Sequence, residues 1–433
     1  MKLLKLQSLQ SVHGLVLIGL IVATGNLIPS QAFAAATPPP TPLNQLIKIA
    51  VDNNPQLKSK RLAWQSLIHQ YKQATSLDDP KLVYTEAINP VETRLGPQDR
   101  VLALNQKIPY RGKLALKGKL IQKDIESAKV SFDRASRDLI VDLKQSYYEL
   151  VYLENAIQLS QQNKQLLDKV TNLASTDYAA NVSTLNDVAK AQSQTAQVAY
   201  DVQLLQELAS TEKTRINTLL NRNPEFAFEV SRHTRMPPKF PHPITRLYQW
   251  AESNEEITLS DIAIQKSKLQ QQLAGYASKP DFTVGALYTQ IGERNVDGLD
   301  RNGRDGFAVN IGLNIPLNRS KNRAIKEQAR LQHLQKIEDK KSMQNALRNS
   351  VKKLHFKLNN AYRQTVLYQN SLIPQANRAM QVAQSQYREN KGSIGQYLET
   401  QSTGLNFQLA YQRALADYWQ SLIQLEKLTG KKL

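Results

Sequence analysis

The chain has 433 residues, 41% of them hydrophobic and 21% charged, with 17 glycines and 18 prolines. That balance excludes a disordered or collagen-like polypeptide and leaves room for two or three ordered domains. A formal charge of +19 would suit a nucleic-acid partner, but the lysines are spread along helical segments and the leader described next implies export, so no nucleic-acid partner is expected.

Residues 1–34 read as a signal peptide: Lys2 and Lys5 precede the apolar stretch Leu15 to Ala23, and Ala32-Phe33-Ala34 supplies small residues at a cleavage site. The apolar run is about half of the roughly 20 residues that a spanning helix needs, and no later window qualifies. Residues 35–44 follow as an extended segment. The chain has no cysteine. An exported protein of this size without disulfides must draw stability from packing or assembly, and any membrane insertion must come from the polypeptide itself, because no thiol is present for a lipid anchor.

The mature chain is an internal duplication. Asn54-Pro55-Gln56-Leu57 opens a helical stretch that ends near Asp79-Pro80, and Asn254-Glu255-Glu256-Ile257 opens one that ends near Lys279-Pro280, an offset of 200 at both ends. Gln106-Lys107-Ile108-Pro109 matches Gly312-Leu313-Asn314-Ile315-Pro316, and Tyr178 to Gln192 matches Tyr387 to Gln401 at an offset of 209. Each half repeats helix, strand, loop, strand, long helix, tight break and long helix. The first repeat is placed at 45–222 and the second at 244–430. Between them the five prolines of 223–243 cannot continue a helix and mark a linker.

Four strands are expected, at 81–88, 101–108, 282–289 and 307–315. In the last, Phe307, Val309, Ile311, Leu313 and Ile315 alternate with small or polar residues. Alternation of period two over about nine residues fits a tilted membrane strand, and it fits equally a soluble sheet with one face on a core. No other element is available to cover the four. Four strands cannot close a barrel, so the membrane reading requires strands pooled from several copies. The long helices fill the remaining length. From Lys113 to about Thr176 the chain has no proline and no glycine after Gly118. Ile140, Leu143, Tyr147, Leu150 and Ile157 keep a spacing of three and four, interrupted by Glu154; Val198, Val202, Leu205, Ala209, Ile216 and Leu219 repeat it. Such stripes pack helix along helix. Pro374 is expected to kink or break the corresponding helix of the second half. The fold class is therefore mainly α with a small β part.

Enzyme signatures are missing from the sequence. The histidines His13, His69, His233, His242, His333 and His355 form no close helical pair, so no metal site is expected. Ser393 lies in Gly392-Ser393-Ile394-Gly395, which is not a nucleophile elbow. The loop Asp297 to Gly306 lacks the closing Glu of a calcium loop and carries Arg304 among its would-be ligands. No cofactor and no catalytic activity are expected.

The duplicated plan, the strand-ending Gln106-x-Ile108-Pro109 followed by Arg111-Gly112-Lys113, the two tyrosine-led breaks and the ending Leu425-Glu426-Lys427-Leu428-Thr429-Gly430 together resemble the TolC-like outer-membrane efflux factors. The resemblance covers nearly all of the mature chain, and the Ile-Pro-x-x-Gly-Lys variant looks most like the heavy-metal branch. It implies a homotrimer whose twelve strands form one barrel in outer-membrane lipid, continued by a helical tunnel in the periplasm. It further implies a passive pore driven by an inner-membrane pump through a periplasmic adaptor.

In that family the two breaks form the periplasmic tip. Carried over, Asn181, Ser183, Thr184 and Leu185, with Asn390, Lys391, Gly392, Ser393 and Ile394, become adaptor-docking residues. Acidic residues just after the turns often make a constricting ring; here the matching positions are Asp187, Gln396 and Glu399. Facing carboxylates in a narrow pore would repel and attract cations. Residues of this kind are equally at home in the first turns of helices, where the dipole favours them. The competing overall reading is a soluble periplasmic coiled-coil adaptor or structural protein, although an adaptor needs a β-rich domain and a single helical hairpin.

Overall fold

The computed structural model describes residues 40–433 apart from 233–234, 296, 299 and 390. The leader at 1–34 and most of the segment 35–44 lie outside the described residues. The first repeat comprises α1 (Leu43–Asn53), α2 (Pro55–Thr75), β1 (Lys81–Thr93), β2 (Gly96–Ile108), α3 (Lys113–Ala179) and α4 (Leu185–Leu219). The second comprises α5 (Ile244–Ala251), α6 (Glu255–Gly275), β3 (Phe282–Ile291), β4 (Gly306–Leu313), α7 (Arg319–Leu367), α8 (Ile373–Arg388) and α9 (Ile394–Thr429). At ~1.5 Å per residue the 67 residues of α3 extend about 100 Å.

The duplication extends to single hydrogen bonds. Asn54 caps α2, its Oδ1 accepting from the amides of Gln56 and Leu57, while its Nδ2 donates to the Leu219 carbonyl at the end of α4. Asn254 caps α6 through the Glu256 amide, and its Nδ2 reaches the Lys427 and Leu428 carbonyls at the end of α9. Both asparagines are buried, because each satisfies the orphan groups of two helix ends at once.

Each repeat has its own core. Leu46, Leu143, Leu150 and Ile216 lie in the first; Leu247, Val351, Leu358 and Leu425 lie in the second. Burying one such side chain contributes roughly 1.5–3 kcal/mol, so these stripes hold the hairpins together. Glu154 interrupts the first stripe and is buried, and it is paired with Lys213 of α4 at 2.8 Å and with Arg232 of the linker at 3.6 Å. Two cations thus meet the carboxylate inside a helix seam.

The core matches place α7 against α3 at an offset of 208 residues, Leu143 with Val351 and Leu150 with Leu358. Beyond the π-helical stretch Tyr368–Leu372 the offset becomes 209. That stretch is the site of one inserted residue, since a π turn holds one residue more than an α turn. Pro374 follows it as the second residue of α8, and the chain stays right-handed helical through Tyr368 and Leu372. The expected interruption thus takes the form of a π turn between α7 and α8 directly before the proline, which lacks an amide to donate.

The sheet is antiparallel with strand order β1-β2-β3-β4. β1 and β2 have 13 residues each and run past the expected ends toward a tight turn at Arg94 and Leu95. Pro90 lies inside β1, where the pairing with β2 shifts between Glu86 and Val91. An edge strand accommodates it because one side of its backbone is unpaired. β4 ends at Leu313, two residues short of the expected Ile315.

Candidate functional site

Two regions carry the chemistry of the molecule, the sheet at one end and the hairpin tips at the other. The register fixes the two faces of the sheet. Tyr84, Leu102, Tyr288 and Phe307 are cross-strand neighbours in one row, and Leu82, Leu104, Ala286 and Val309 form the next. Val284, Ile311, Phe282 and Leu313 continue the same face, and most of its large apolar side chains are exposed. The opposite face is mixed: Lys81, Thr85, Asn105, Lys107, Thr283 and Asn310 share it with glycines and with the row Val83, Ala103, Leu287 and Ala308. A sheet with an uncovered face of large apolar side chains and a reverse of smaller and polar ones is the pattern of a barrel wall between lipid and water. Glu86 and Arg100, paired at 3.1 Å, lie one row beyond Tyr84 and Leu102 and bound the apolar band on its turn side. No helix among the described residues is long and apolar enough to cross a membrane.

Asp281 fastens the sheet to the helices. Its carboxylate accepts from Lys113 Nζ at 2.9 Å and from the Tyr110 amide at 3.1 Å, with Lys107 at 3.6 Å. Its backbone amide donates to Asn314 Oδ1, and its carbonyl accepts from the Asn314 amide. Burial pushes this carboxyl up, but the Lys113 ammonium and the Tyr110 amide outweigh it and hold it below the usual carboxylate range. One residue thereby joins the start of β3 to the start of α3 through its side chain and to the end of β4 through its backbone. The neighbouring Gly112 has φ of +90° and caps α3; a Cβ there would come within 2.7 Å of Tyr276 Oη.

The tips repeat one turn. In the first, the amides of Val182 and Ser183 donate to the Asp177 carbonyl, with Asn181 in the left-handed region; in the second, Lys391 and Gly392 donate to the Gln386 carbonyl. Thr184 caps α4 and Ser393 caps α9. Asn390 lies outside the described residues. The candidate gate residues differ in their commitments. Asp187 closes a capping box, accepting from Thr184 Oγ1 at 2.7 Å and from the Thr184 amide at 3.2 Å. Gln396 and Glu399 are exposed, and Glu399 is the sixth residue of its helix whereas Asp187 is the third of α4. Leu185 is exposed and Ile394 buried, while Lys391 pairs with Glu389 at 2.8 Å.

The tips also meet each other. Leu167 and Val170 of α3, Val188 of α4, Ala383 of α8 and Ile394 and Tyr397 of α9 share one apolar cluster. Tyr387 stacks on Tyr397 at 6.3 Å, and its hydroxyl donates to Asp177 at 3.0 Å. Burial and the Asp177 carboxylate push the Tyr387 hydroxyl up to about 12. Sequence reading missed Asp177 and Asp281. The only signal for either was position: Asp177 directly precedes a tyrosine-led break, and Asp281 directly follows the proline that marks a strand start.

The chain thus combines a long helical body with repeated hairpins, a four-stranded sheet with one exposed apolar face and two turn-shaped tips. Residues 247–431 match the sequence model described as outer membrane efflux protein. The fold of the chain is that of solved outer-membrane channels: VceC from Vibrio cholerae is 17% identical, with a TM-score of 0.74 and coverage of 90% of this chain and 96% of VceC. A membrane protein from Pseudomonas aeruginosa is 16% identical, with a TM-score of 0.76 over 90% of this chain and 93% of that one. The CmeC outer membrane channel of Campylobacter jejuni is 16% identical, with a TM-score of 0.72 over 90% and 86%. No curated protein sequence matches the chain. The match to the outer membrane efflux protein model is confined to the second repeat, and the described chain as a whole shares the fold of these solved channels.

Proposed function

We propose that this chain is the passive exit duct of a tripartite efflux system, inserted in the outer membrane as a homotrimer and extending into the periplasm. The observation that carries the reading is the continuous exposed apolar face across all four strands, with both edge strands β1 and β4 unpaired. Three copies of the four-stranded sheet supply twelve strands, an even number that closes without edges. The helices then extend the pore as a tunnel, and the tips dock a periplasmic adaptor that links it to an inner-membrane pump. The turn residues Asn181, Ser183, Thr184 and Leu185 and their mates Lys391 to Ile394 form the docking surface. Glu399 lines the constriction with Gln396, while Asp187 stiffens the start of α4. Reconstitution into planar bilayers tests the duct: discrete, voltage-tolerant conductance steps are expected from the trimer. Recovery of the protein as a monomer in the soluble periplasmic extract would instead favour a coiled-coil adaptor.

A further inference from the structure

The apolar face of the sheet has two edges, and they differ in how their charges are satisfied. On the turn side three cations have partners: Arg100 with Glu86 at 3.1 Å, Arg294 with Glu92 at 3.8 Å and Arg301 with Asp300 at 3.9 Å. On the helix side the apolar run continues past β4 through Ile315 and Leu317, which are 65% and 81% exposed, and stops at a basic cluster. Arg319, Arg323 and Lys326 follow at steps of four and three along the first turns of α7, so they share one face of the helix, and all three are exposed. Lys326 Nζ lies 3.2 Å from Ser278 Oγ, which brings the exposed Lys279 to the same place. Beside them Tyr110 and Tyr276 pack edge to face at 5.9 Å, and Lys279 Nζ is 5.7 Å from the Tyr110 ring.

Folding of the chain gives no reason for these charges. Like charges four residues apart repel, and cations at a helix start oppose its dipole. The nearby carboxylates are committed elsewhere, Asp281 to Lys113 and Lys107 and Glu327 to Arg330. Asp78 and Asp79 precede β1, at the opposite edge of the sheet from β4. Among the described residues, Arg319, Arg323, Lys326 and Lys279 therefore have no carboxylate partner. Further along the same helix the pattern reverses. Lys336, Lys340, Lys341 and Arg348 each meet an acid, in turn Asp339, Asp261, Glu338 and Glu252. The first cations of α7 are left open where the apolar face ends.

We infer that Arg319, Arg323 and Lys326 of α7, with Lys279, form a docking surface for the phosphate groups of anionic phospholipids in the leaflet on the helix side of the barrel. The inference rests on the outer-membrane reading above, because it needs the apolar face to stand in lipid. Charge complementarity and continuity with that face select the occupant. Long basic side chains lay their stems on apolar surface and raise their charged heads to the headgroups, and tyrosines settle at the same depth. Each cation beside an anionic surface adds attraction, whereas a zwitterionic headgroup carries its own compensating cation and gains less. Ile315 and Leu317 would thus meet acyl chains while the residues just after them meet phosphate. The docked headgroups offset the repulsion within the cluster and fix the depth at which the sheet ends and the helices begin.

The test titrates the purified full-length protein in detergent with phosphatidylglycerol and, separately, with phosphatidylcholine, and counts bound lipids by native mass spectrometry. Phosphatidylglycerol should bind about tenfold more tightly, and added salt should erode the preference. A chain with Arg319→Gln, Arg323→Gln and Lys326→Gln should lose most of that preference while its oligomeric state and conductance steps persist. Arg100→Gln, on the turn side, should keep it. If the triple variant fails to assemble, Arg323→Gln alone reads the same loss in part. Equal affinity for the two lipids in a native, conducting protein overturns the docking surface and leaves the duct standing. A preference that disappears with Arg100→Gln and survives the triple variant also overturns it. The same holds if Asp79→Lys restores what Arg323→Glu removes, since a second copy would then be the partner of the cluster. A native protein that is a soluble monomer and conducts no ions overturns both readings.

Discussion

The Tyr387 hydroxyl donates to the Asp177 carboxylate at 3.0 Å, tying the second hairpin to the first one turn above the tips. Replacing Tyr387 by Phe removes that bond and keeps the ring that stacks on Tyr397. The expected outcome is an intact trimer with a higher single-channel conductance, as the second hairpin loosens at its end. Equal conductance in wild type and Tyr387→Phe would separate this bond from the closure of the tip.

The same bond sets a pH window. Because the folded hydroxyl is raised to about 12 from an ordinary value of 10.0, its contribution is complete below pH 10 and is lost as pH rises toward 12. Tyrosinate absorbance should show one late-titrating group that is missing in Tyr387→Phe, and tip opening should follow its ionisation. An identical titration of the two proteins would contradict the assignment.

Asp281→Ala leaves the Lys113 ammonium and the Tyr110 amide without their acceptor at a buried junction. The cost is roughly 1–3 kcal/mol per chain, the range for orphaned buried partners. The heat needed to dissociate the trimer should fall clearly, and less so for Asp281→Asn, which retains one acceptor oxygen. An unchanged dissociation temperature for Asp281→Ala would show that the strand-to-helix junction is held elsewhere.

The two faces of the sheet predict opposite responses to charge. Val309→Arg places a guanidinium on the apolar face and should destabilise insertion by about 2–4 kcal/mol if it lies near the bilayer midplane. Asn310→Arg, one residue away on the opposite face beside Asn105, should insert normally and alter conductance instead. Outer-membrane yield and refolding into lipid vesicles measure the difference, and equal losses for both would assign the sheet to a soluble core.

At the constriction, Glu399→Ala should raise conductance and weaken block by multivalent cations, since a ring of carboxylates attracts them. Asp187→Ala should act differently, fraying the first turn of α4 at a cost of about 1 kcal/mol for the lost cap and raising amide exchange there. Charge reversal at Lys391 should lower the yield of cross-links to the adaptor. Unaltered block in Glu399→Ala would remove it from the constriction.

Much of this molecule was legible from patterns of short range. Helical stripes such as Leu143, Leu150 and Ile216, the strand alternation from Phe307 to Leu313, and the matching Asn54 and Asn254 caps all depend on neighbours within one element or on direct sequence repetition. The repeat at offsets of 200 and 209, the basic charge and the lack of cysteine were likewise properties of the sequence alone. Pro374 showed the limit of such reading. A local rule predicts a kink or a break, whereas the structure shows the form it takes, a π turn holding one inserted residue between α7 and α8.

Tertiary structure alone decided which residues meet across long separations. Nothing in the sequence indicates that Asp177 faces Tyr387 rather than solvent, that Asp281 gathers Lys113 and Tyr110, or that Glu154 in an apolar stripe finds Lys213. Nor does the sequence reveal that Leu62 and Leu185 stay uncovered while Ile262 and Ile394 are buried. The physical reason is common to all of them. Propensity and periodicity are local free energies repeated along the chain, whereas the pairing of a buried charge or the covering of an apolar face is set by which distant surface the fold brings near.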